Sequence, residues 1–170
     1  MNKYHLLCLF LLISLFTGIA QQATPKDAFL EKWANSKNYL LAIAEAMPEE
    51  HYDFKPTARQ MSFEKQLLHI QRNMEWLSTT YFGKEESEII SGEKSKDQVI
   101  KSLISSFNAT KVAVANASDA DFKVTVEFFA GEKSKLQILN LLQDHVTHHR
   151  GQLIVYLNLN DIKPPSYVGW

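Results

Sequence analysis

The chain has 170 residues, a formal net charge of -1 and a hydrophobic fraction of 45%. This is enough for one domain with a substantial core, and it provides no basic surface for nucleic acid. Cys8 is the only cysteine, so the chain can build neither an internal disulfide scaffold nor a zinc site made of several thiolates. Any bound metal would therefore be held by nitrogen and oxygen atoms.

The first 20 residues have the layout of a secretory signal peptide. Lys3 precedes the apolar run LLCLFLLISLF and the small-residue sequence TGIA, a pattern typical of a cleaved leader. We therefore expect removal of residues 1–20, a mature domain at 21–170, secretion or periplasmic location, and no membrane association after cleavage. Cleavage also removes Lys3, which moves the formal net charge from -1 to -2, and it removes Cys8.

Apolar residues spaced by three and four predict the first two helices. The first runs from Asp27 to about Met47 and is ended by Pro48. Ser62 is a suitable N-cap for the second helix, and Gly83 can end it. The apolar stripe of this second helix, the clearest in the chain, consists of Phe63, Leu67, Ile70, Met74, Leu77 and Tyr81.

Two further helices are predicted in the second half of the chain. The third starts near Asp97 and ends near Asn116. The segment DADFKVTVEFFAGEKSK then alternates apolar and polar residues, which predicts an extended crossover with a short strand pair. Ser134 can cap the fourth helix, which runs to about Asn160. We therefore predict an all-α fold, a four-helix bundle with a long extended crossover between helices three and four.

Two histidines of the fourth helix are candidate metal ligands. In QDHVTHHRGQLIVYL, His145 and His149 lie one turn apart, about 40° from each other around the helix, and point toward the core. Each buried imidazole needs partners for two ring nitrogens, and the His-x-x-x-His spacing lets both rings reach one divalent ion. His148 lies about 80° from this line, so we do not expect it to be a ligand.

A third ligand must come from another element of the chain. His69 on the second helix and His51 in the first loop are candidates of the right type. His69 lies about 120° from the centre of the apolar stripe, on a flank shared with Gln66, Asn73 and Trp76, so periodicity neither selects nor excludes it. His51 is expected to be a solvated loop residue.

Four stretches carry a family resemblance. LLHIQRNMEWL, HVTHHRGQLIVYL, NLNDIKPPS and the lead-in DFKPTARQMSFEKQLLH together resemble the DinB-like family of metal-binding four-helix bundles over residues 25–166. The resemblance implies a zinc or nickel site with water in the open positions, and its three histidines correspond to His69, His145 and His149. The HRGQ phrase is its most specific part, and it makes His148 a spacer.

A three-histidine site with an open position is typical of catalytic zinc. We interpret the chain as an exported divalent-metal-binding protein, with hydrolysis of an unknown small-molecule substrate by metal-bound water as the leading function. Two alternatives stay open: a non-catalytic, metal-stabilised binding module, and a thiol-dependent transferase, although export would separate the protein from cytoplasmic thiols. A homodimer is compatible with the bundle, and no sequence feature identifies its interface.

The sequence identifies no general base, so the catalytic residues remain unknown. Gln152 and Asn73 could touch bound water or substrate, or they could be ordinary polar residues between helices. Asp144 and Glu75 project away from the faces of the nearby histidines. Arg150 is expected to be a surface charge rather than a binder of an anionic substrate.

Overall fold

The computed structural model describes residues 24–83 and 95–170, and the predicted signal peptide at 1–20 lies outside them. Four α-helices are present in these two ranges, and a short antiparallel pair of strands, Thr125–Val126 and Lys133–Ser134, lies in the connection between the last two of them. This confirms the predicted all-α four-helix bundle with its extended crossover. None of the described helices has the length and apolar character needed to cross a membrane. The elements are α1 (Pro25–Ala46), α2 (Phe63–Phe82), α3 (Lys96–Asn116), β1 (Thr125–Val126), β2 (Lys133–Ser134) and α4 (Lys135–Leu159).

The helix ends follow from local capping chemistry. Thr24, Ser62, Ser95 and Ser134 occupy the four N-caps, and each hydroxyl accepts a hydrogen bond from the backbone N–H three residues later. At the other end of α2, Gly83 has φ 69°, a left-handed conformation that glycine adopts without steric cost. The predicted roles of Ser62, Ser134 and Gly83 are confirmed.

Helices that are consecutive in the sequence are not all neighbours in the bundle. α1 and α2 each pack mainly against both α3 and α4, which puts α1 and α2 at opposite corners of the bundle. Hydrogen bonds between α2 and α3 rise together in residue number, from Gln71 with Ser102 to Ser78 with Thr110. These two helices therefore run parallel. On its other side, α2 packs against α4.

Aromatic side chains hold the bundle together at several levels. On α1, the ring centroids of Phe29 and Trp33 are 5.2 Å apart. Between α1 and α3, the ring centroids of Trp33 and Phe107 are 4.7 Å apart, and the indole N–H of Trp33 donates to the Phe107 carbonyl oxygen at 3.1 Å. Between α4 and the start of α2, the hydroxyl of Tyr156 donates to the carbonyl oxygen of Met61 at 2.8 Å. This second contact anchors α4 against the half of α2 that carries His69.

Candidate metal centre

Three histidines meet on the seam between α2 and α4. One ring nitrogen from each of His69, His145 and His149 lies within 4.8 Å of the corresponding nitrogens of the other two. The ring centroids are 4.9 Å apart for His69 and His145, 4.6 Å for His69 and His149, and 4.5 Å for His145 and His149. The structure thus brings together the three histidines that the sequence and the family resemblance indicated. Within residues 24–83 and 95–170, no carboxylate or thiol belongs to this group.

The position of His69 follows from the packing of α2. The apolar stripe of this helix faces the centre of the bundle, and His69 is half-buried on the flank that turns toward α4. α2 and α4 run antiparallel, because His69 meets His145 whereas Gln66, three residues earlier, meets His149 four residues later. A residue on the flank of an amphipathic helix can therefore be a site residue when a second helix lies along that flank.

The Nε2 atoms of His69 and His145 are spaced as a shared ion requires. Nε2 of His145 lies 3.1 Å from Nε2 of His69. Two nitrogens bound to one ion at about 2.1 Å would be about 3.0–3.4 Å apart for bond angles between octahedral and tetrahedral values. Nδ1 of His145 is buried and has no hydrogen-bond partner. This ring is therefore held in place by packing rather than by a hydrogen bond at Nδ1, and its Nε2, together with the nitrogens of His69 and His149, forms a donor set that fits a divalent ion.

All three histidines are neutral near pH 7. Burial lowers the pKa of His145 from 6.5 to about 3 and that of His149 to about 4, and the neighbouring histidines add to both shifts. Burial and the nearby charge of Arg72 lower the pKa of His69 as well. Neutral imidazole is the form that binds metal ions, so no proton has to be removed before these residues can act as ligands.

Gln66 orients one of the candidate ligands and was not identified from the sequence. The Nδ1–H of His149 donates to Oε1 of Gln66 at 2.6 Å, which leaves the Nε2 lone pair free for a ligand. Nε2 of Gln66 donates to Oε1 of Gln152 at 2.6 Å, and Nε2 of Gln152 donates to Nε2 of His148 at 2.8 Å. The signal that could have identified Gln66 is its position one turn before His69 on the same flank.

The other candidate residues divide between the surroundings of the site and the surface. His148 is exposed, in agreement with its predicted spacer position. His51 is exposed too, and its Nδ1 lies 2.7 Å from Oδ1 of Asn160 rather than joining the cluster. Asn73 lies one turn after His69, and its Oδ1 is buried without a hydrogen-bond partner. The Oδ1 of Asn73 is thus shielded from solvent, whereas Gln152 is hydrogen-bonded to Gln66 and His148.

The two carboxylates near the candidate ligands in sequence lie on other faces. Glu75 is buried on the side of α2 that faces α3, where its Oε1 accepts a hydrogen bond from Ser106 at 2.5 Å. Asp144 is exposed. Neither belongs to the histidine cluster, as the helical angles predicted.

Arg150 is not the surface charge that the sequence predicted. Its side chain is only 4% exposed, and one guanidinium nitrogen donates to the hydroxyl of Ser36 at 3.3 Å. The guanidinium carbon lies 5.0 Å from the ring centroid of Tyr39, a contact that offsets part of the cost of burying the charge. Arg150 follows His149 by one residue, which corresponds to about 100° around the helix. Its side chain therefore points toward α1 and away from the cluster.

The fold and the cluster define a helical bundle that presents three histidines from two helices at one seam. The chain belongs to the DinB family, whose family model matches residues 20–167. Membership confirms the resemblance seen in the sequence.

Two solved structures share this fold. A DinB-like protein from Bacillus subtilis superposes with a TM-score of 0.70 at 18% identity, covering 83% of this chain and 96% of that one. A DinB-like protein from Bacillus cereus gives a TM-score of 0.72 at 17% identity, covering 82% of this chain and 95% of that one. Among curated proteins, none matches this chain in sequence.

Proposed function

We propose that this protein is an exported enzyme that binds a divalent metal ion at His69, His145 and His149 and hydrolyses a small-molecule substrate there. The observation that carries the proposal is the meeting of three neutral imidazoles at one point, with nitrogen atoms as close as 3.1 Å. A purely structural role would not require this, since a seam of apolar residues would pack the same two helices without burying polar rings.

The donor set indicates the kind of ion and the chemistry. Imidazole nitrogens favour zinc or nickel over magnesium and calcium, which prefer oxygen. Three protein ligands leave at least one position of a four-coordinate site open, as in catalytic zinc sites. When bound, the ion would supply Lewis-acid activation of water and of a substrate carbonyl or phosphoryl oxygen.

The surrounding residues have defined tasks in this proposal. Gln66 holds His149 in the tautomer whose Nε2 can bind the ion. Gln152 holds Gln66 in turn, through the 2.6 Å hydrogen bond between their amides.

Metal content tests the first half of the proposal. Wild-type protein loaded with zinc and desalted should retain about one ion per chain, and the His145→Ala/His149→Ala double variant should retain almost none, because only one of three ligands remains. His148→Ala is the matched control, since this residue lies next to the pair but is exposed, and it should retain the ion. Equal metal content in wild type and double variant would overturn the assignment.

An open coordination position tests the second half. Cobalt-loaded wild type should change its visible absorption when acetohydroxamate is added, because the added ligand occupies the position that hydrolysis needs. An unchanged spectrum in a protein that does bind cobalt would favour the alternative of a non-catalytic, metal-stabilised module. Hydrolytic activity that appears only with an added thiol would favour a transferase.

Export is the remaining part of the proposal, and it rests on Lys3 and the run LLCLFLLISLF before TGIA. Export keeps the protein away from cytoplasmic thiols and thereby favours hydrolysis over thiol transfer. N-terminal sequencing of protein recovered from the periplasm or the medium should begin at Gln21. If the protein is recovered only from the cytoplasm, as chains that begin at Met1, the export proposal is overturned.

A further inference from the structure

Two exposed aromatic side chains, Trp76 and Phe129, and the half-buried Phe128 lie side by side, and we call these three residues the aromatic wall. Trp76 is 41% exposed and Phe129 is 84% exposed. Their rings nevertheless contact one another, with centroids 5.9 Å apart for Trp76 and Phe128, 6.2 Å for Trp76 and Phe129, and 4.3 Å for Phe128 and Phe129. A contiguous exposed aromatic surface of this kind typically marks a binding site.

Helix geometry puts the aromatic wall in line with the candidate metal site. Trp76 follows His69 by seven residues on α2, which places the two about 20° apart around the helix and about 10 Å apart along it. The Cα–Cβ bond of Trp76 tilts toward the start of α2, and so toward His69. On α4, Leu141 precedes His145 by one turn and is 36% exposed, so an apolar side chain borders the same path from the other helix.

A polar group lies between the two ends of this path. Asn73 follows His69 by one turn and precedes Trp76 by three residues, and its Oδ1 is buried without a partner. Because this oxygen is shielded from solvent, a ligand on the surface of the bundle does not reach it, and the aromatic wall is the part of the path that a ligand can contact.

The fold holds the aromatic wall in place before any ligand binds. Phe128 and Phe129 lie in the turn between β1 and β2, and the hydroxyl of Tyr81, near the end of α2, donates to the Glu127 carbonyl oxygen at 3.2 Å. Gly131 adopts φ 91° in the same turn, which residues with a side chain rarely do. A preformed surface needs little ordering when it binds a ligand.

We infer that the aromatic wall is the specificity subsite of the enzyme. This inference rests on the proposed function and names its substrate class: a small molecule that carries an aromatic ring about 10 Å from the bond that is hydrolysed. The ring packs on Trp76 and Phe129. The extended crossover between α3 and α4 thus contributes to substrate choice, although no candidate ligand lies on it.

Two hydroxamates test this inference on the zinc-loaded, full-length mature protein. Acetohydroxamate probes the open metal position alone, and phenylhexanohydroxamate adds an aromatic ring on a spacer of suitable length. By titration calorimetry, the phenyl compound should bind at least about tenfold tighter, since packing one ring on aromatic side chains contributes on that order. Trp76→Ala should remove most of this gain and leave acetohydroxamate binding unchanged.

The controls separate the subsite from general effects. Phe129→Ala is a second variant that does not threaten the fold, because the side chain is 84% exposed, and it should reduce the gain as well. Val155→Ala removes an exposed apolar side chain elsewhere on α4 and should leave both affinities unchanged.

The possible failures point to different errors. Equal affinities for the two hydroxamates, or a gain that survives Trp76→Ala, would overturn the subsite and leave the proposed function standing. Binding of neither compound would overturn the proposed function and this inference with it. A Trp76→Ala variant that dissociates a dimer while the gain persists would assign the aromatic wall to an interface between copies.

Discussion

The two polar seams of α4 differ in the groups that they bring together. Toward α2, His145 and His149 are uncharged near neutral pH, and a buried nitrogen of His145 has no partner. Toward α1, Arg150 is buried and contacts Ser36 and Tyr39. The first seam collects neutral imidazoles whose nitrogens lie close enough to share an ion, whereas the second holds a buried cation beside a hydroxyl and an aromatic ring.

This difference shows that one short phrase of sequence serves two purposes. In HRGQ, the first and last residues, His149 and Gln152, turn toward Gln66 on α2, whereas Arg150 turns toward α1. Burial lowers the pKa of Arg150 from its usual value, yet the aromatic ring and the hydroxyl beside it stabilise its charge. The α2 seam is therefore suited to binding an ion, and the α1 seam to fixing the orientation of α4.

The largest effect on stability is expected from the α1 seam. Arg150→Ala removes a buried side chain and its contacts, and we expect the free energy of unfolding of the metal-free protein to fall by about 2–4 kcal/mol. The zinc content of the folded fraction should stay unchanged, because Arg150 does not reach the cluster. Urea denaturation and metal analysis measure the two quantities.

The matched control is an arginine on the surface. Arg59→Ala, at an exposed position, should change the free energy of unfolding by less than about 0.5 kcal/mol. Loss of bound zinc from well-folded Arg150→Ala protein would break the separation between the two seams.

A smaller effect, confined to the α2 seam, is expected from Gln66. Gln66→Ala removes the acceptor that orients His149, and such a loss typically weakens metal affinity by about 10–100-fold. A competition titration with a zinc chelator measures this affinity. His148→Ala is the control at the far end of the Gln66, Gln152 and His148 chain, and it should leave the affinity unchanged. Equal affinities for Gln66→Ala and wild type would show that Gln66 has no orienting role.

The helices and the family could be predicted from the sequence because their signals are local. Ser62 and Ser134 cap helices through bonds to backbone atoms three residues away, and Gly83 ends α2 through its own backbone. The place of His69 depends instead on which flank of α2 faces α4, and therefore on the placement of α1 and α2 at opposite corners of the bundle. The spacing of apolar residues within one helix does not indicate which helices are neighbours.

The wrong prediction for Arg150 and the missed role of Gln66 have the same origin. Arg150 was assigned to the surface because arginine is mostly exposed in proteins, but the hydroxyl of Ser36 and the ring of Tyr39 on another helix make its burial favourable. The orienting role of Gln66 was not predicted, because its hydrogen-bond partner, His149, lies 83 residues further along the chain. Both cases require knowledge of which helices are neighbours.

A last expected effect, absent at neutral pH, is the pH dependence of the metal-free protein, which also separates the two seams. The pKa of His145 is about 3 and that of His149 about 4 in the folded protein, against 6.5 in the unfolded chain. Between these values the unfolded chain binds more protons, so the free energy of unfolding rises with pH. The stability that these neutral histidines contribute is complete above about pH 6.5 and is lost progressively as the pH falls toward the folded values.

Urea denaturation of chelator-treated protein at a series of pH values measures this dependence. His145→Ala/His149→Ala should show a flatter dependence than wild type below about pH 6.5, because the two groups that take up protons on unfolding are missing. Arg150→Ala should keep the wild-type slope at a lower overall stability, because Arg150 stays protonated in both states over this range. A wild-type slope in the double histidine variant would show that other groups cause the pH dependence, and that the α2 seam is not electrostatically distinct from the α1 seam.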